Sequence, residues 1–172
     1  VLAAGTTHLR HIFGAMLARM LPDHADQMTT YTRAFAEDGV TSSATDFVET
    51  MEVANRMYHS FGPLMERYDV FICPTNAVAA VPADYDHSRD RLTINGRDIE
   101  NRFLGWVMTS PFNTLSRCPV LSVPSGHATN GVPTGIQIVG RSYSDASVFR
   151  AAMAFEQATG GWYRSASTRP KV

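Results

Sequence analysis

Lysine is nearly absent: of 15 basic residues only Lys171 is one, beside the C-terminal Val172. A polar tail cannot desolvate an amine and lower its pKa, so a lysine acting as catalytic base is excluded from this polypeptide. Cysteine is scarce as well. Cys73 and Cys118 are too few for a disulfide framework, and each precedes a proline in an apolar context, so free buried thiols are expected. Neither ICPT nor RCPV sets its thiol at a helix start or beside a fixed base, which argues against a Cys-His nucleophile. Charge of one sign is not in excess. A net charge of -1 with scattered basic residues leaves no footprint for nucleic acid or an anionic membrane. No stretch approaches the ~20 apolar residues of a membrane span, and VLAAGTTHLRH has no basic leader, so a cytoplasmic setting is expected. Neither G-x-G-x-x-G nor a Walker pattern occurs, and no cofactor is expected. His8 and His11 share a helix face, yet no carboxylate or third histidine joins them at a familiar spacing. A solvated or partly buried pair is expected there, and no metal.

What is present is enough apolar residue, 44% of 172, to bury one core, so one domain is the default. Residues 1–68 read as mainly helical: Thr7 to Leu21, then Pro22 to Glu37 with Gly39 as a stop, then a longer helix after SSATD. Ser43 or Thr45 can cap the third, with Asp46 in its first turn. Phe47, Met51, Ala54, Tyr58, Phe61 and Met65 make one apolar stripe, which Gly62 and Pro63 kink or end. From residue 69 the character changes. Val70 to Cys73, Val120 to Val123 and Gly135 to Gly140 are short, apolar and β-branched, and read as buried strands. Residues 82–102 form a polar surface excursion whose ING step turns a small hairpin. Ser144 caps a covering helix over 144–159, with Val148, Ala152, Phe155 and Thr159 on one face and Gly160 and Gly161 as its stop. The fold class is α/β.

SVPSGH at 122–127 raises the question of a hydrolytic serine. A nucleophile elbow needs small residues around the serine so that the strained turn can project its hydroxyl, and here Pro124 and Gly126 flank it. His127 lies too close in sequence to serve as its base. Ser125 therefore reads as part of the frame around a site.

Tyr68-Asp69-Val70 leading to Cys73-Pro74-Thr75, then SPFNTLSRCPVLSVPSG, GVPTGIQIVGR and FEQATG occur in the order found in the C-terminal portion of amidase signature enzymes. The chain resembles that family from about Thr41 to Trp162, while earlier residues match only in helical character. The resemblance implies helices wrapped around one large mixed sheet, of which this chain supplies the last strands and their covering helices. It also implies amide cleavage by a serine nucleophile, a second serine in a cis peptide and a lysine base. All three lie upstream in the family, around a glycine- and serine-rich motif that does not occur here. The chain alone is therefore expected to be inactive, its partners being the missing N-terminal catalytic half and a small amide substrate. A self-associating or scaffolding fragment, as a homo-oligomer, is the alternative.

Carried over by position, the resemblance nominates Thr75 and Asn76, then Thr109, Phe112 and Asn113, as residues in or behind the wall of the substrate pocket. Asn113 is equally suited to satisfying backbone groups in a proline-rich loop. Two departures stand out. PTNAVAAVP lacks the second threonine and proline common after PT, and NTLSRCP puts Arg117 where a small or apolar residue is usual. Arg117 can pair with a substrate carboxylate by two hydrogen bonds, or point to solvent or a neighbouring acid.

Overall fold

The computed structural model describes residues 1–101 and 103–162, which fall into two compact units. The first comprises Val1–Met57 and Val81–Leu115, and the second Tyr58–Ala80 and the residues from Ser116 onward.

In the first unit, helix α1 (Leu2–Leu9) runs into a π-helical segment (Arg10–Gly14) and then α2 (Ala15–Ala18), so the helix expected from Thr7 begins five residues earlier and is widened midway. The single helix expected over Pro22 to Glu37 is two. A short α3 (Leu21–His24) precedes α4 (Thr30–Val40), because Thr29 adopts an extended backbone and its Oγ1 accepts from the Thr32 N–H at 3.4 Å, starting a new helix. Gly39 is helical itself, and α4 ends one residue beyond it, at Val40. Gly39 is buried against Gly14, where helix backbones approach too closely for a side chain.

Helix α5 (Ala44–Met65) begins at Ser43, whose Oγ accepts from the Asp46 N–H at 3.1 Å while the Asp46 carboxylate accepts from the Ser43 N–H at 2.9 Å. This reciprocal cap holds the Asp46 carboxyl below its ordinary range. The helix continues through Gly62 and Pro63 to Met65. Of the expected stripe, Ala54 and Met65 are buried and Phe47, Tyr58 and Phe61 are half-buried, while Met51 is exposed and Thr50 is buried instead, its hydroxyl donating to the Phe47 carbonyl.

The excursion forms a two-residue-per-strand hairpin, β2 (Thr93–Ile94) and β3 (Arg97–Asp98), turned by Asn95 and Gly96 at φ 52° and 75°. Those positive angles need the Asn-Gly pair that the sequence supplies. Asp86 is buried within the same segment and accepts from the Ser88 N–H and Oγ and from Thr30 Oγ1. Helix α6 (Ser110–Leu115) buries Ser110, Thr114 and Leu115.

The second unit is an antiparallel sheet in the order β1–β5–β4, built from β1 (Val70–Pro74), β4 (Val120–His127) and β5 (Pro133–Gly140), with helix α7 (Asp145–Ala158) on one face. Ile138, Val139 and Gln137 of the central strand are fully buried, and Ile138 packs with Val148 and Ala152 of α7. Strand β4 is twice as long as the four residues read from the sequence. Pro124 has no N–H to donate, yet pairing with β5 resumes beyond an irregularity between Pro124 and Gly126, and Ser125 sits at that bulge. Helix α7 stops where Gly160 takes φ 80° and the Gly161 N–H reaches back to the Glu156 carbonyl at 2.8 Å. Among the described residues no helix is long and apolar enough to cross a membrane.

Candidate functional site

The end of β1 and the adjoining parts of β4 and β5 enclose a cavity of about 330 Å³. Antiparallel register sets its geometry. Pro74 lies opposite Ile136, so the chain leaves β1 at Thr75 directly beside Gly135. The Thr75 N–H and Oγ1 each donate to the Gly135 carbonyl at 3.0 Å, fixing the turn into the cavity wall. Gln137 Nε2 donates to the Pro74 carbonyl at 3.0 Å and anchors the same corner from within the sheet. Across the cavity, Ser125 Oγ and Thr134 Oγ1 share a hydrogen bond of 3.0 Å. Asn76 and Val78 complete one side, and Ile136 contributes apolar surface.

Thr75 and Asn76 are thus the nominated residues that this cavity brings together. Arg117 belongs to the same unit but is exposed, is not among the cavity's lining residues, and holds its guanidinium 5.5 Å from the centre of the Tyr58 ring. Thr109, Phe112 and Asn113 belong to the first unit. The Thr109 carbonyl accepts from the N–H groups of Phe112 and Asn113 at 3.1 Å each, so the stretch expected to be a loop opens helix α6. Asn113 is exposed on that helix and makes no side-chain hydrogen bond among the described residues, so its amide does not serve the backbone of a loop.

Ser125 and Thr134 enter the wall through strand pairing that spacing along the chain does not reveal. The usable signal was the alternation in VPTGIQIV, which places Thr134 and Ile136 on one face of a strand. Neither hydroxyl has a histidine or lysine bonded to it among the described residues, and the Ser125–Thr134 pair is suited to donating and accepting hydrogen bonds rather than to nucleophilic attack. The thiol of Cys73, half-buried on β1, is pushed above its ordinary pKa by burial, as is Cys118. A raised pKa favours the thiol over the nucleophilic thiolate at both positions.

A larger cavity, about 470 Å³, lies within the first unit between Arg10, Phe35, Asp38, His87, Glu100 and Phe103. Its charges are mostly spent on one another. Arg10 pairs with Asp38 at 2.7 Å, and the imidazole of His87 lies tilted against the Phe103 ring with centroids 4.7 Å apart, burial holding its pKa down. His8 and His11 stack on Phe47, at 5.4 and 4.6 Å, and His11 Nδ1 lies 3.3 Å from Ser42 Oγ. Among the described residues no three His, Cys, Asp or Glu side chains gather as a metal site.

Against known proteins, residues 3–149 match the family model described as Amidase. The match thus reaches through the first helices, well before Thr41, where the resemblance read from the sequence begins. The glutamyl-tRNA(Gln) amidotransferase A-subunit of Oceanobacillus iheyensis is 33% identical over 113 residues, 66% of this chain and 21% of that protein. Its counterpart in Exiguobacterium sibiricum is 38% identical over 104 residues, 60% of this chain and 19% of that one. The chain therefore spans about a fifth of the length of the curated relatives it matches. Among solved structures, a bacterial aryl acylamidase of the amidase signature family superposes with a TM-score of 0.74 at 22% identity, over 92% of this chain and 33% of that one. That likeness is one of fold.

Proposed function

Because this chain belongs to the amidase family, we propose that it is the C-terminal part of a longer enzyme that hydrolyses carboxamide C–N bonds in the cytoplasm. In this reading residues 1–172 are one part of a single amidase signature domain, not a domain of their own. The serine, cis-serine and lysine of the family mechanism lie on an upstream half, and this chain contributes a wall of the substrate pocket through Thr75 and Asn76. Thr109, Phe112, Asn113 and Arg117 remain the other nominated pocket or supporting residues. The observation that carries the reading is the lysine content. The family's base is a lysine, and the one lysine here, Lys171, stands next to the last residue. Coverage of about a fifth of each relative agrees with it.

The test is reconstitution. The chain alone is expected to leave small carboxamides intact, and addition of the upstream half of its parent protein to restore ammonia release. Hydrolysis by this chain alone, abolished by Ser125→Ala, would sink the proposal.

A second reading has its own observation. Ile12, Phe13, Met16 and Met20 are 42–56% exposed at helical spacing in the first unit, an apolar stripe that a self-associating fragment would cover with another copy. Native mass spectrometry separates the two: a homo-oligomer favours this reading, and a complex with a second polypeptide the first.

A further inference from the structure

The Thr75 cavity is chemically uniform in one respect. Among the described residues, none of those lining it is ionisable: its polar groups are the hydroxyls of Thr75, Ser125 and Thr134, the amide of Asn76 and backbone, and the rest is Pro, Ala, Val, Gly and Ile. From this, and resting on the reading that the cavity faces substrate, we propose that the part of the substrate seated here is uncharged, so that the enzyme takes neutral carboxamides rather than amides carrying a carboxylate or ammonium group at that end.

The reasoning is one of compensation. A charge moved from water into a partly enclosed cleft loses hydration and must regain it from a countercharge or several convergent hydrogen bonds. This wall has few bonds to give. The Thr75 hydroxyl is spent on the Gly135 carbonyl. Ser125 and Thr134 hold one hydrogen bond between them, which leaves a single O–H and their lone pairs for a ligand. The Asn76 side chain makes no hydrogen bond among the described residues, and it offers a neutral donor and acceptor together, the complement of another amide. A carboxylate would thus meet two or three neutral donors and no cation, and an ammonium would meet no anion. Arg117, the residue best able to supply a positive charge from this part of the sequence, sits over the Tyr58 ring and not on this wall. The volume, about 330 Å³, lies at the small end of ligand cavities and suits a short apolar body with one polar group.

The test uses the full 172-residue chain labelled with ¹⁵N and three probes that share a primary carboxamide: butyramide, succinamate and 4-aminobutyramide. Butyramide is expected to shift the backbone amides of Thr75, Asn76, Ser125 and Thr134, with an affinity about tenfold above either charged probe. Thr134→Val is expected to weaken butyramide by about fivefold, the loss of one neutral hydrogen bond, while the spectrum outside the cavity stays the same. Succinamate or 4-aminobutyramide shifting the same amides as strongly as butyramide would overturn the charge preference and leave the cavity as the substrate site. If no probe moves these four amides either in the chain alone or in its complex with the upstream half, the cavity is not a substrate wall, and the preference falls with it.

Discussion

Replacing Gly39 by alanine separates local helix propensity from long-range packing, because the two give opposite signs. Gly39 is the last residue but one of α4, and a glycine-to-alanine change at a helical position stabilises by up to about 1 kcal/mol. Here the added methyl would overlap the carbonyl carbon of Gly14 and lie 2.5 Å from the Gly14 oxygen and 2.6 Å from the Ala15 nitrogen. Ordinary contact begins near 3.5 Å, so the helix and the π-helical segment must part by roughly 1 Å. The atoms in the way are backbone, which cannot rotate aside as a side chain can. Separation also loosens the packing of fully buried Ala36, one turn earlier on α4. Overpacking of this kind costs about 1–3 kcal/mol, and a clash with backbone alone belongs in the upper part of that range, about 2–3, so after the propensity gain of about 1 a net loss of about 1–2 kcal/mol is expected. For a chain of 172 residues that is a fall of roughly 2–8 °C in thermal midpoint. Urea unfolding followed by far-ultraviolet circular dichroism measures it, with Gly62→Ala as control. At Gly62 the methyl meets only the movable ring of Tyr58 at 3.3 Å, and stability should hold or rise slightly. A Gly39→Ala chain as stable as the parent, or more so, would refute the close approach of the two backbones.

Two other perturbations test the fixed points of each unit. Hydrogen bonds from Ser88 and Thr30 hold the Asp86 carboxyl down at about 2. A carboxyl with a folded pKa below its ordinary value of about 3.9 contributes its full stability above that value and loses it as pH falls toward 2, so the stability gap between the parent and Asp86→Asn should narrow between about pH 4 and 2. A gap that stays constant with pH would count against the network, the readout being thermal midpoints across pH 2–7. In the second unit Arg141 Nε donates to the Met65 carbonyl at 2.7 Å, and Nη2 reaches those of Tyr68 and Glu66 at 3.3 and 3.4 Å, closing the C-terminus of α5. Arg141→Ala should cost about 1–2 kcal/mol in urea unfolding, with Arg141→Lys recovering less than half because one ammonium cannot span these carbonyls.

What was legible in the sequence was local. The Asn95-Gly96 hairpin, the Ser43 cap, the Gly160 stop and the apolar centres of three strands each follow from a few neighbouring residues with one strong conformational preference. The misreadings share a different cause. Gly39 looked like a helix stop because glycine often ends helices, whereas its role is to admit Gly14, 25 positions away. Proline and glycine punctuate local structure and so end strand β4 at Val123 in the sequence, and only register with β5 carries it on to His127. The site divides in the same way. Thr75 and Asn76 could be nominated from motif position, but Ser125 and Thr134 join them only when two strands are placed in register.

That register bears on which reading of the protein stands. The order β1–β5–β4 gives β5 a partner on both sides and leaves one edge each of β1 and β4 without a strand partner among the described residues. Edge strands with apolar side chains invite pairing, and Ile72 on β1 and Val120 on β4 are 51% and 40% exposed. The relatives compared are three to five times longer than the matched stretch, and if this chain is part of such a protein, these edges are where further strands would add. An isolated chain must meet the same demand with another copy of itself. Both readings of the protein therefore predict that these edges are covered, and they differ in the covering polypeptide. Protection of the β1 and β4 amides from hydrogen exchange should appear with the upstream half at stoichiometric ratio if the chain is part of an amidase, and with rising chain concentration alone if it is a self-associating fragment.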